Sequence, residues 1–203
     1  MTRNASDIWR EDVGDCSYSQ VPMPIWYHDI YTTGIHRDSR FPRERYRILK
    51  DRIQNSQNSG MIEFMSPECA SKEDLLTSHD PDFIRRFLDG ELGEKEVNRI
   101  GLKPWTDSFV ERTLRIMGGS LSALKRVCEF GGISGNMAGG THHSHAGFGA
   151  GYCVFNDIAV CAVKATESLG IARVAILDLD VHLGDGTATM LKDIEGALTI
   201  SVH

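Results

Sequence analysis

An α/β fold, with a parallel sheet flanked by helices, is predicted by three features of this sequence. The C-terminal stretch reads as strand (Arg173 to Asp180), short helix (Thr187 to Lys192) and strand (Ala197 to His203). That order implies a parallel pair joined by a right-handed crossover. Toward the other end, Pro24-Ile-Trp-Tyr-His-Asp29 suits a strand, and Pro42 opens a helical pattern through about residue 55. The region between is helix-rich, and 203 residues with 41% hydrophobic and 25% charged content suffice for one domain with its own core.

Taken in order, residues 1–22 lack periodicity and read as an N-terminal tail, leaving 23–203 as a single domain. Met61 to Phe64 suits a second short strand. Ser71, followed three residues later by Asp74, resembles a helix N-cap with an acid in the first turn. Short helices follow at 82–89 and 92–100, with Gly101 as the stop signal, and a longer one spans about 107–129. Gly118-Gly119 inside it marks either a kink or a close helix contact. Eight glycines then fall between Gly131 and Gly151, a density that permits unusual backbone angles and close approach to a ligand. Asn156 to Leu169 reads as a helix, and the continuous apolar run from Val174 makes the next strand a buried one.

Composition narrows the function. No apolar stretch approaches the roughly 18 to 20 residues of a membrane span, and the N-terminus lacks a secretory core. The five cysteines show no framework spacing; they favour reduced thiols in a cytoplasmic or nuclear compartment, most of them small buried side chains. Net charge is -6, and the basic run at 40–47 reads as a solvated helix face, so direct nucleic-acid binding is not expected.

Two segments carry chemistry. Asp178, Asp180 and His182 are spaced by two at the end of a strand, so extended backbone would point all three to one face, at the sheet edge where α/β folds bind ligands. Asp180 and His182 offer a carboxylate oxygen and an imidazole nitrogen, a mixture that suits zinc and also ferrous iron. A catalytic zinc takes three protein ligands, so a third must come from elsewhere. In Gly139-Gly140-Thr141-His142-His143-Ser144-His145, adjacent histidines in a glycine-rich loop suit two imidazoles acting on one water, with Asp178 and Asp185 available as partners. His145 lacks such a partner argument and reads as peripheral.

GGTHHSHAGFGAGYCVFND (139–157), RVAILDLDVHLGDGT (173–187) and TISVH (199–203) resemble the corresponding segments of the histone deacetylase and acetylpolyamine amidohydrolase superfamily. The resemblance covers about residues 24–203, most strongly 138–203; HDPDFIRRFLDG and RIGLKPW are most similar to class IV and bacterial members. It implies the three-layer arginase-like α/β fold, with its C-terminal part beyond this sequence. It further implies that Asp180 and His182 bind the catalytic zinc, that His142 and His143 act on its water with His143 as general base, and that Asp178 pairs with His142 and Asp185 with His143. A structural potassium would map to Asp178, to backbone oxygens near Asp180 and His182, and to Ser201, while Gly151 and Tyr152 match positions lining an acyl-lysine channel. The implied activity is hydrolysis of the amide bond of acylated lysine in proteins, histones among them, or of acylated amines.

This sequence departs from the family pattern in three places. Leu183 follows His182 where His or Gln is common, Tyr152 replaces a phenylalanine, and the family's third zinc ligand, an aspartate, and its carbonyl-stabilising tyrosine fall downstream of His203. Two other functions fit parts of the pattern. One is a catalytically incomplete binding or regulatory fragment of the same fold. The other is a haloacid-dehalogenase-like phosphatase, whose nucleophile motif Asp178-Leu179-Asp180 resembles, but which leaves the paired histidines unexplained and normally uses magnesium.

Overall fold

Side chains that cap helix ends set most of the element boundaries. The structure, a computed structural model, describes residues 21–203, so the tail reading of residues 1–22 lies outside it save for Val21 and Pro22. Ser71 opens α3 (Lys72–Leu76) with the expected reciprocal cap: its hydroxyl accepts from the Asp74 N–H at 3.1 Å, and the Asp74 carboxylate accepts from the Ser71 N–H at 2.9 Å. Asp80 caps α4 (Pro81–Leu88), whose first residue is proline. Helix α5 (Glu94–Ile100) stops at Gly101 in left-handed conformation, φ 77°. Thr106 caps the long α6 (Asp107–Phe130), and Asn156 caps α7 (Asp157–Glu167).

Two parallel sheets run through these helices. β1 (Met23–Trp26) lies between β2 (Ile62–Met65) and β3 (Gly135–Asn136), and β4 (Val174–Asp178) pairs with β5 (Ala197–Ser201) in a register that sets Asp178 opposite Ser201. Between β1 and β2 lie the single turn α1 (Ile30–Thr33) and α2 (Arg45–Gln54). α6 packs on β1, β3, α1 and α7; α7 and α8 (Asp185–Leu191) pack on β4 and β5 respectively. The parallel α/β architecture is the one expected. Among the described residues, no helix is long and apolar enough to cross a membrane.

Aromatic rings dominate the larger core. Tyr31, Phe83, Phe87 and Phe155 are essentially inaccessible, and Phe155 meets Phe83, Phe87 and His79 edge-on at 5.0 to 5.5 Å. A second cluster joins Ala159, Ala162, Val163 and Leu191 to Val174, Ile176 and Ala197, which ties β4 and β5 to α7 and α8.

Four expectations are corrected. β4 ends at Asp178, not Asp180, and it is not buried on both faces: Leu177, Leu198 and Ile200 are 60%, 58% and 43% exposed. Helices α7 and α8 cover the alternate face only, so the apolar run misled about two-sided burial. α2 begins at Arg45: Phe41, four residues earlier, is buried and Pro42-Arg43-Glu44 forms the turn into the helix. Among the described cysteines, Cys69 and Cys128 are exposed on a loop and on the outer end of α6, Cys161 is half-buried and Cys153 is buried. Gly118 and Gly119 serve close approach to more than a helix. A methyl group on Gly118 would collide with the Glu68 carbonyl oxygen, and one on Gly119 would sit 2.7 Å from the Tyr31 hydroxyl of α1 and 2.6 Å from Asn136 Oδ1 of β3.

Gly118→Ala therefore separates packing from helix propensity. Propensity alone favours alanine by about 1 kcal/mol, whereas the collision with backbone costs on the order of 3 kcal/mol. A melting temperature lowered by roughly 6 °C or more is expected; a raised one would refute the close approach.

Candidate functional site

The glycine-rich loop is pinned by a buried acid at the start of α7. Asp157 is 1% exposed, and its two oxygens accept from the Thr141 N–H (2.9 Å) and hydroxyl (2.6 Å), the Gly140 N–H (3.2 Å) and the Ser120 hydroxyl (2.5 Å). No cation is among these donors. The preceding residue, Asn156, is also fully buried: its Oδ1 caps α7, and its amide donates to the Ser144 carbonyl and the Thr187 hydroxyl, both at 3.0 Å. The Thr187 N–H in turn donates to the His142 carbonyl at 3.1 Å, which fastens α8 to the histidine loop.

On this frame the predicted pairs come together. His142 Nδ1 lies 2.6 Å from Asp178 Oδ2, and His143 Nδ1 lies 2.7 Å from Asp185 Oδ1. With each Nδ1–H donating to its carboxylate, Nε2 is left with a lone pair. The two rings are 4.1 Å apart. His142 is buried and His143 half-buried. Burial works to raise the Asp185 carboxyl, but hydrogen bonds from His143, from His145 and from the Gly186 N–H hold it below the usual carboxylate range. His145 is thus not peripheral: its Nε2 lies 3.4 Å from Asp185 Oδ2.

Asp178, Asp180 and His182 do not share the face of an extended strand. Beyond Asp178 the chain bends, because Asp178 Oδ1 accepts from the Asp180 N–H at 3.0 Å and Asp180 Oδ1 accepts from the His182 N–H at 2.8 Å. Such local bonds from aspartate to the backbone two residues on compete with the strand ladder. The bends still bring the donors together: His182 Nδ1 is 2.9 Å from Asp180 Oδ1, which lies 3.9 Å from His142 Nε2. A carboxylate and an imidazole, both largely exposed beside the paired histidines, match two of the three donors of a catalytic zinc. Among the described residues, no group of three or more His, Cys, Asp or Glu is arranged to hold a metal. Ser201 Oγ accepts from the Gly184 N–H at 3.4 Å and lies 3.2 Å from His203 Nδ1.

Gly151 lies beside the second histidine, and Tyr152 follows it in the turn. Both have positive φ, 52° and 67°, and their N–H groups donate to the Arg99 and Ile100 carbonyls at the end of α5, at 3.1 and 2.8 Å. A methyl group on Gly151 would come within 2.7 Å of the His143 ring. The Tyr152 ring packs edge-on against Phe41, with centroids 5.3 Å apart.

The profile of the histone deacetylase domain matches residues 39–203, which is most of the chain and all of this site. The chain belongs to the histone deacetylase family. Among its relatives is an uncharacterized protein of Picosynechococcus, 36% identical over 182 residues that make up 89% of this chain and 60% of that protein. The acetoin utilization protein AcuC of Bacillus subtilis is 28% identical over 187 residues, 88% of this chain and 48% of AcuC. AcuC of Staphylococcus aureus is 27% identical over 176 residues, 83% and 45% of the respective chains. The chain thus spans about half the length of these curated relatives. Membership accounts for the arginase-like α/β arrangement and leaves the phosphatase alternative without support.

Sequence reasoning gave no role to Asn156, Asp157 or His79. An Asn-Asp pair opening an apolar helix was the available signal for the first two. His79 offered none, for its burial against Phe155 is a tertiary fact. Its Nε2 accepts from the Asn156 N–H at 2.9 Å, so the proton sits on Nδ1, which faces the Ala146 carbonyl at 3.2 Å. Burial lowers its pKa to about 4. The neutral ring therefore contributes stability that is fully present above the ordinary value near 6.5 and is lost as pH falls toward 4, on the order of 3 kcal/mol. Denaturant unfolding of the protein between pH 7 and 4 should fall more steeply than that of His79→Gln; equal slopes would remove His79 as the cause.

Proposed function

We propose that the protein hydrolyses the amide bond of acylated lysine side chains or related acylated amines, with His143 as general base. The observation that carries this reading is the pair of His–Asp contacts, at 2.6 and 2.7 Å, beside the two metal-type donors Asp180 and His182. Family membership supports deacetylase-type hydrolysis in general.

Asp180 and His182, with a third donor, would hold zinc or ferrous iron, which when bound would supply Lewis acidity toward the amide carbonyl and water. The remaining chemistry belongs to this chain's side chains. Asp185 holds the Nδ1–H of His143, so Nε2 accepts the proton as the water oxygen bonds to the amide carbon. The protonated imidazole then returns that proton to the amine nitrogen as the carbon–nitrogen bond breaks, releasing a carboxylate and a free amine. His142, buried and paired with Asp178, offers a second Nε2 to the same water. Gly151 leaves the face of the His143 ring open to backbone, and Tyr152 forms part of the wall met by the acyl chain. The Asp178 carboxylate and Ser201, opposite each other across β4 and β5, are the donors proposed for a structural potassium.

A second reading, a binding or regulatory role on the same fold without turnover, is the alternative that the experiment separates.

The test is metal analysis together with acyl-lysine turnover by the complete polypeptide. About one zinc or iron per protein is expected, and His143→Ala should lower kcat by roughly 10² to 10⁴-fold. Undiminished turnover by His143→Ala would sink the base assignment, and a protein that binds acyl-lysine without turnover would favour the second reading.

A further inference from the structure

Asp185 is bonded by two imidazoles, and the reading above uses only one. His143 Nδ1 holds Oδ1 at 2.7 Å, and His145 Nε2 reaches Oδ2 at 3.4 Å, so each oxygen of the carboxylate has its own imidazole. Asp185 needs such support. It is the first residue of α8, with a side chain 50% exposed. The Gly186 N–H also bonds this carboxylate, and an imidazole on each oxygen sets its plane.

His145 is itself held in place. Its ring stacks on Phe148 with centroids 4.4 Å apart and planes 23° from parallel, and its N–H donates to the Phe148 carbonyl at 2.9 Å. The Arg99 guanidinium lies over the Phe148 ring at 4.1 Å, and its Nε donates to the Gly149 carbonyl at 3.1 Å. A continuous set of contacts therefore runs from the last turn of α5, through Phe148 and His145, to the carboxylate that orients the proposed base.

We propose that His145 is a positioning residue: it fixes the plane of the Asp185 carboxylate so that Oδ1 accepts the His143 Nδ1–H, keeping the Nε2 lone pair on the side of the reacting water. This rests on the reading of His143 as base. Partners one step removed from a catalytic group commonly contribute about 10 to 100-fold, less than the loss of a catalytic histidine itself.

Two variants divide what the ring does: His145→Phe keeps a ring to stack on Phe148 without a donor, and His145→Gln keeps a donor without the ring. The first readout is nitrogen-15 NMR of the His143 side chain, which needs no turnover. A protected Nδ1–H signal is expected in the parent protein, lost to exchange in His145→Phe and recovered in His145→Gln. The second is kinetics of the complete polypeptide: His145→Phe should lower kcat by roughly 10 to 100-fold with KM unchanged, and His145→Gln should restore most of it. A His143 Nδ1–H as protected in His145→Phe as in the parent overturns the proposal, and so does a KM that rises in step with the fall in kcat. An inactive His143→Ala beside a fully active His145→Phe fails this inference alone, whereas an active His143→Ala fails the base assignment beneath it.

Discussion

The site hangs on one buried carboxylate. Asp157 is removed from water without a cation, an arrangement that is unfavourable unless every lone pair finds a donor. Two backbone N–H groups and two hydroxyls supply them, and the N-terminus of α7, where the residue sits, adds its own favourable field. These donors come from α6 and from the histidine loop, so satisfying the acid forces three segments to meet. Its neighbour Asn156 does the same for α8 through Thr187. One end of each His–Asp pair is thus placed by a bond network rather than by hydrophobic contact. The histidines ride on the loop that Asp157 grips, and Asp185 opens the helix that Asn156 anchors.

That network gives two chemically identical pairs different surroundings. The His142–Asp178 pair is shielded, with side chains 9% and 18% exposed, while the His143–Asp185 pair is at 23% and 50%. Water reaches the second pair far more freely than the first, so the two pairs differ in solvation although they match in composition.

Legibility in the sequence followed the range of the forces involved. Ser71 caps its helix within three residues, a signal short enough to be legible in the sequence, and Asp80, Thr106 and Asn156 cap theirs in the same local way. The tandem histidines and the Asp178-to-His182 run were visible as chemistry for the same reason. Reading that run as extended strand failed because alternation carries no information about whether a ladder partner is present, and the aspartates turned their own backbone instead. His145 carries no such signal, because nothing in a sequence indicates that a single carboxylate faces two imidazoles. Asp157 and His79 were silent because burial, which makes both consequential, belongs to the assembled core.

Tyr152 sits in a left-handed backbone conformation that glycine would adopt freely and that an ordinary side chain adopts at a penalty of about 1 to 2 kcal/mol. The turn is nonetheless closed by two hydrogen bonds to the end of α5, and the ring is braced against Phe41. An aromatic ring is thus held in place against local preference, and its orientation is set by the end of α5 and by Phe41, a property of the fold itself.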